Sequence, residues 1–179
     1  CYTGEETYRE KAERTVDYLI DALWNGSAFG GSQGPGTDNG DPRTDLTAYA
    51  DSNALVVDAL LVLSSYTDAD RPREYARRTL TTLRSSLVDD GAVRHPADAD
   101  APTLLLADAA RTVAAGVRAA QVLGDDDALR MARVVADRTI DTLFADGSFH
   151  DGPTEGPGLL DRSLRPLDAN VEMANALID

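Results

Sequence analysis

The chain has 179 residues, enough for one domain, and 42% of them are apolar, too many for disorder. Its net charge of −14 comes from 24 Asp and 7 Glu set against 16 Arg and a single Lys, Lys11. A field of that sign disfavours nucleic acid and anionic membrane surfaces as partners, and one cysteine, Cys1, excludes an internal disulfide.

Asp is heavily preferred over Glu, and Lys is almost absent. That bias points to adaptation to high salt, where screening weakens repulsion between surface carboxylates. No apolar run approaches the roughly 20 residues of a membrane helix, and the expectation is a cytoplasmic protein. Cys1 reads as a domain boundary, with a lipidated first residue as the alternative. Residues 3–9 already lie where a charged helix begins, and residues 174–179 (ANALID) carry no helix stop signal. The expectation is therefore a piece of a longer protein.

In chain order, the first helix is expected over residues 5–24. Tyr8, Ala12, Val16, Leu19, Ile20 and Leu23 form one apolar stripe, and Asn25-Gly26 closes it. Residues 27–45 form a Gly/Pro/Asp-rich loop. Asp38, Asn39, Asp41 and Asp45 could hold Ca²⁺, but their spacing is not that of an EF-hand, and an ordinary acidic loop is the reading adopted. The second helix, residues 47–66, is apolar nearly all round and so is buried on most of its sides. The third opens at Pro72 and runs to about Leu87, with Asp90-Gly91 as its stop. A loop carrying His95 leads to Thr103, the expected N-cap of an Ala- and Leu-rich fourth helix. The fifth covers residues 126–144 and stops at Asp146-Gly147. A loop carrying His150 precedes a sixth helix from Leu167 or Asp168.

The charged helices share a motif. Residues 11–19 (KAERTVDYL), 74–83 (EYARRTLTTL) and 135–143 (VADRTIDTL) each read Ala-x-Arg-Thr, with a Leu four residues after the Thr. Ala12, Ala76 and Ala136 are 64 and 60 residues apart. A helical pattern with a period near 60 indicates stacked helical hairpins. Amphipathic helices alternate with apolar ones, so the fold class is all-α. Apolar helices make an inner ring and charged helices an outer ring of an α/α toroid, with about three hairpins present in one domain. No segment alternates convincingly as a strand. Arg14, Arg78 and Arg138 of the motif, and Trp24, read as packing residues.

That layering puts the three long loops and the inner-helix N-termini on one rim, where a ligand is best received. Asp51, Asp108 and Asp168 fall there, 57 and 60 residues apart. They can act as general acid and base on a sugar, or cap their helices. His95 and His150 suit proton transfer beside a carbonyl. Asn53, Asn170, Glu172, Ser32 and Gln33 are candidate ligand-binding residues. The histidine spacing fits no metal motif, and no cofactor is expected: no nucleophile elbow, P-loop or dinucleotide fingerprint occurs.

Several segments, in order, carry a family resemblance. Tyr49-Ala50-Asp51-Ser52-Asn53-Ala54-Leu55 resembles the Asp/Ser-Trp-Asn-Ala/Gly-Leu segment of a group of thioredoxin-fused proteins, with Ser52 where that group has Trp. Phe29-Gly30-Gly31-Ser32-Gln33 is similar to the group's Gly-Gly-Phe-x-Ser-x-Asp loop. Residues 105–109 (LLADA) are similar to its Leu-Asp-Asp-Tyr-Ala segment, and Arg165-Pro166-Leu167-Asp168-Ala169-Asn170 to its Pro-x-x-Asn segment. Vertebrate members are called spermatogenesis-associated proteins. The resemblance implies a six-hairpin toroid like that of N-acylglucosamine epimerases, preceded by a thioredoxin-like domain. The function expected is a non-catalytic binding or scaffold module acting on a protein client, with a carbohydrate-active epimerase- or glycosidase-like enzyme as the alternative.

If the acidic surface is a salt adaptation, the helical circular-dichroism signal will be partly lost at low salt and restored by molar KCl. An unchanged signal across that range would remove the halophilic reading.

Overall fold

A computed structural model describes residues 4–36, 40, 42–153 and 164–179. Cys1, Asp38, Asn39 and Asp41 lie outside them, so the Ca²⁺ reading of the first loop does too. Six helices dominate: α1 (Glu6–Leu23), α2 (Ala50–Thr67), α3 (Asp70–Thr82), α4 (Leu106–Leu123), α5 (Asp126–Leu143) and α6 (Leu167–Ile178). A π-helical turn, Leu83–Leu87, extends α3.

The two layers form as the periodicity predicts. α4 is the hub: it packs against α2 on one side, α6 on the other and α5 behind, while α3 packs behind α2. Thus α2, α4 and α6 make the inner layer of an α/α toroid, and α3 and α5 the outer one. α1 lies against two short strands of the first loop, and of its stripe only Ile20 and Leu23 are fully buried.

The core between the layers is built from small and branched residues. Leu60, Leu61, Leu80, Leu83, Leu87, Leu106 and Leu143 are all essentially inaccessible, each contributing about 1.5–3 kcal/mol by burial. Gly116 lets α4 and α5 approach closely. A Cβ there would lie 2.8 Å from the Ala128 carbonyl oxygen and 2.9 Å from the Ala132 Cβ.

The repeated motif now has a physical reading. Ala76, Thr79 and Leu80 of α3, and Ala136 and Thr139 of α5, face the core. Arg78 stacks over the Trp24 ring at 4.7 Å and donates to the Gly26 carbonyl at 3.0 Å, gripping the turn that follows α1. Arg138, one hairpin on, lies with its Cβ against the turn at Gly91.

Two expectations change. Strand pairs exist, though each is two residues per side: β1 (Ser32–Gln33) with β2 (Thr44–Asp45), β3 (Val88–Asp89) with β4 (Ala92–Val93), and β5 (Phe144–Ala145) with β6 (Ser148–Phe149). Asp90-Gly91 and Asp146-Gly147, expected only to stop helices, make the turns of the last two pairs. All four have positive φ, 45° and 76° in one turn and 51° and 81° in the other, as a two-residue hairpin turn requires. Second, α4 starts three residues after Thr103. Leu105 is its N-cap, preceded by Leu104 at φ 46°.

Asn53 of α2 and Asn170 of α6 pin the turns that follow α1 and α5 to the inner layer. Asn53 Oδ1 accepts from the Phe29 N–H at 2.8 Å, and its Nδ2 donates to the carbonyls of Phe29 and Tyr49, both at 2.9 Å. Asn170 makes the same three bonds to Phe149 and Pro166. Asn53→Ala strands buried backbone groups, so urea unfolding should show a loss of about 2–3 kcal/mol. Asn175→Ala, on the exposed face of α6, should stay within about 0.5 kcal/mol of the parent.

Candidate active site

No side chain caps α2, α4 or α6; their N-caps are Tyr49, Leu105 and Pro166. The leading N–H groups are satisfied from the neighbouring hairpin instead. The His95 carbonyl accepts from the Ala50 N–H at 2.8 Å, and the Asp151 carbonyl from the Leu106 N–H at 2.9 Å. This contact fixes where His95 stands. Its backbone closes α2, while its ring reaches the first turn of α4.

There it meets Asp108, which is 1% exposed. His95 Nδ1 lies 3.0 and 3.1 Å from the two Asp108 oxygens, sharing a proton with the carboxyl group. Burial is the main cause of a raised Asp108 pKa, and the Asp51 charge adds to it; the His95 contact opposes both. Asp51 enters from the first turn of α2. Ligand atoms of Asp51, His95 and Asp108 all lie within 4.8 Å of one another, and they are the one such group of three among the described residues. A cation held there would compete with Arg111 for Asp51.

Arg111, one turn beyond Asp108, ties the inner helices together. Its Nη1 donates to Asp51 Oδ2 at 3.1 Å, while Nε and Nη2 donate to both oxygens of Glu172 on α6, at 3.0 and 3.2 Å. The Glu172 contact is the main reason that its pKa is raised. Two turns further along, Arg118 Nε donates to Asp58 at 2.9 Å, repeating the link between α4 and α2.

A cleft of about 260 Å³ opens onto this cluster, lined by Gly31, Ser32, Asp45, Tyr49, Asp51, Ser52 and His95. The Tyr49 hydroxyl donates to Asp45 Oδ2 at 3.2 Å, and its ring sits 5.2 Å from the imidazole. Gly31 must be glycine here, since a Cβ would fall 2.6 Å from the Tyr49 ring. Asp45 has a lowered pKa, first because the Thr47 backbone N–H donates to it.

Of the residues singled out in the sequence, Asp51, His95, Asp108 and Glu172 come together, and Ser32 lines the cleft. Asp168 is exposed on α6 and outside the cluster. Asp108 is not its repeat equivalent. Asp51 and Asp168 are second in their helices, whereas Asp108 is third, aligning with Ser52 and Ala169. His150 lies 3.4 Å from Arg165 Nη2 and aligns with Gly30, not with Gly31, the counterpart of His95. Gln33 accepts from the Tyr18 hydroxyl at 3.0 Å and donates to Thr44, fastening the loop to α1. Asn53 and Asn170 use their amides on backbone groups, as described above. Sequence reasoning missed Arg111 and Tyr49, and considered Asp45 only as a Ca²⁺ ligand of the acidic loop. The signal for Arg111 was its spacing: Arg111 and Arg118 each follow an acid of α2 by 60 residues.

The sequence matches no family model and no curated protein. Solved structures do resemble it. An unsaturated glucuronyl hydrolase from Bacillus sp. GL1 is 20% identical, with a TM-score of 0.74 over 97% of this chain and 49% of that one. A possible GH105 member from Salmonella enterica is 10% identical, with a TM-score of 0.77 over 98% and 50%. A D-mannose isomerase is 17% identical, with a TM-score of 0.76 over 97% and 47%. These likenesses establish the fold as the six-hairpin glycosidase-like α/α toroid, of which the chain spans about half the length of each neighbour. No helix is long and apolar enough to cross a membrane.

A raised Asp108 pKa has a definite effect on stability. The folded state favours the protonated carboxyl, so its contribution is present at acid pH and lost as pH rises through the folded pKa. Asp108→Asn should therefore gain stability relative to the parent between pH 4 and pH 8 in urea unfolding. A gap that stays constant with pH would contradict the assignment.

Proposed function

We propose that the toroid is a carbohydrate-active module whose chemistry is proton transfer on a sugar, of the isomerase or epimerase kind. The observation that carries this is the Asp51–His95–Asp108 cluster at the floor of the cleft. A buried carboxyl pushed toward its protonated form and hydrogen-bonded to an imidazole is suited to donate a proton. Asp51, facing it and oriented by Arg111, is a proton acceptor. Contrasting environments for two adjacent carboxyl groups are the usual means of separating acid from base. Their oxygens approach within 4.8 Å, short of the ~6.5–9.5 Å that leaves room for water in an inverting glycosidase.

On this reading the sugar carbonyl enters the cleft beside Ser32 and Tyr49. The Asp108–His95 dyad delivers a proton to the carbonyl oxygen while Asp51 takes one from the adjacent carbon. Return of that proton to C1, with the C2 hydroxyl proton passing back to the dyad, gives the ketose isomer; its return to the other face of C2, with the C1 hydroxyl proton passing back to the dyad, gives the epimer. The solved neighbours named as hydrolase and isomerase support a sugar as substrate. A non-catalytic module of a thioredoxin-fused protein draws on the motif resemblance alone, and it leaves the buried dyad without a role. A linked thioredoxin-like domain belongs to the same resemblance, a haloarchaeal-type source rests on the Asp-rich, Lys-poor composition, and both are compatible with catalysis.

Incubating the full-length protein with an aldose panel in D₂O tests this. Deuterium should appear at C2 of a substrate. Asp108→Asn and His95→Gln should slow exchange by about 10²–10⁴-fold, with the helical signal intact. Asp168→Asn should leave the rate unchanged. No exchange with any aldose, or full rates in both cluster variants, would overturn the proposal.

A further inference from the structure

The walls of the cleft carry an uneven charge. Asp45 and Asp51 line it, Glu172 flanks it through Arg111, and Asp108 lies behind His95. Asp45, Asp51 and Glu172 alone set three carboxylates against one guanidinium. Three of its five N–H donors are spent on these acids, Nε and Nη2 on Glu172 and Nη1 on Asp51. Arg111 is not among the residues that line the cleft, and no other Arg or Lys is. Asp45 keeps its charge, since the Thr47 N–H and the Tyr49 hydroxyl both stabilise the carboxylate.

An anionic substituent placed in this cleft would therefore lose its hydration without meeting a counter-charge. It would also face Asp45 and Asp51 at close range, where like charges repel strongly. A neutral hydroxyl meets acceptors that it can satisfy. An ammonium group meets two carboxylates. Resting on the sugar-processing reading above, we infer that the cleft selects sugars by charge, in the order amino sugar, then neutral sugar, then uronate or sugar phosphate. The glucuronyl hydrolase neighbours share the fold, but an acidic cleft of this kind implies a different substrate charge.

Three ligands with one ring and different substituents test the order: glucosamine, glucose and glucuronate. Binding to the full-length protein is measured by calorimetry at the lowest KCl concentration that preserves the helical signal, and again at severalfold higher KCl. Glucosamine should bind about tenfold more tightly than glucose, and glucuronate about tenfold more weakly. The spread should narrow at the higher salt, because screening acts on charge and not on shape. Asp45→Asn, which lies outside the proton-transfer cluster, should narrow it as well. Glucuronate binding as tightly as glucose overturns the charge order while leaving the proton-transfer reading intact. The predicted order without deuterium exchange keeps the charge inference and removes the reaction. No binding by any of the three overturns both.

Discussion

The contact on which the rest depends is a backbone one: the His95 carbonyl accepts from the first N–H of α2. A helix start buried in a packed ring cannot leave its N–H groups to water. Here no side-chain cap is used, so the loop of the following hairpin must supply an acceptor at a set position. That demand places one residue per hairpin on the rim, between two inner helices. In the second hairpin this residue is a histidine, and its ring reaches the next inner helix. The fold requirement and the placement of the His95–Asp108 pair are therefore one constraint.

Asp108 shows the energetic cost of that arrangement. A carboxyl group 99% removed from solvent on an apolar helix is destabilising in its charged form. The surroundings reduce the penalty without removing it. His95 offers one hydrogen-bond partner, while the Asp51 charge works against ionisation. A core position serving only stability is better filled by Asn or an apolar residue of similar size. An ionisable group buried beside an open cleft costs stability that a neutral residue would not, which is what the proposed proton-transfer role would offset. Arg111 keeps the remaining acids from repelling one another by bridging α2 and α6 from the hub helix.

Much of this architecture was legible in the sequence. The thrice-used Ala-x-Arg-Thr motif and its period near 60 gave two layers, and in α3 and α5 its Ala and Thr are buried in the core, while in α1 Ala12 is half-buried and Thr15 exposed. The alternation of apolar and amphipathic helices gave the order of the layers, and loop length gave the rim. The short strand pairs were not legible, because two-residue strands are too short to alternate. Asp90-Gly91 and Asp146-Gly147 read equally well as helix stops and hairpin turns. α4 began later than Thr103 because its start is set by the Asp151 carbonyl, a tertiary partner that no local signal announces.

The site was half legible for a related reason. Repeat arithmetic treats every hairpin as equivalent, and it grouped Asp51, Asp108 and Asp168 on that basis. The proposed site lies where the repeats differ. The second hairpin has His95 where the first has Gly31 and the third Asp151. It has Ala109 where the other two place Asn53 and Asn170, and Asp108 one position before it, in line with Ser52 and Ala169. The first and third hairpins use an Asn to lock the exit turn; the second gives up that lock and carries the His–Asp pair instead. In a ring of near-identical units, the unit that breaks the pattern on two adjacent helices at once is where a reactive pair can form. The conserved geometry of its neighbours then serves to hold it.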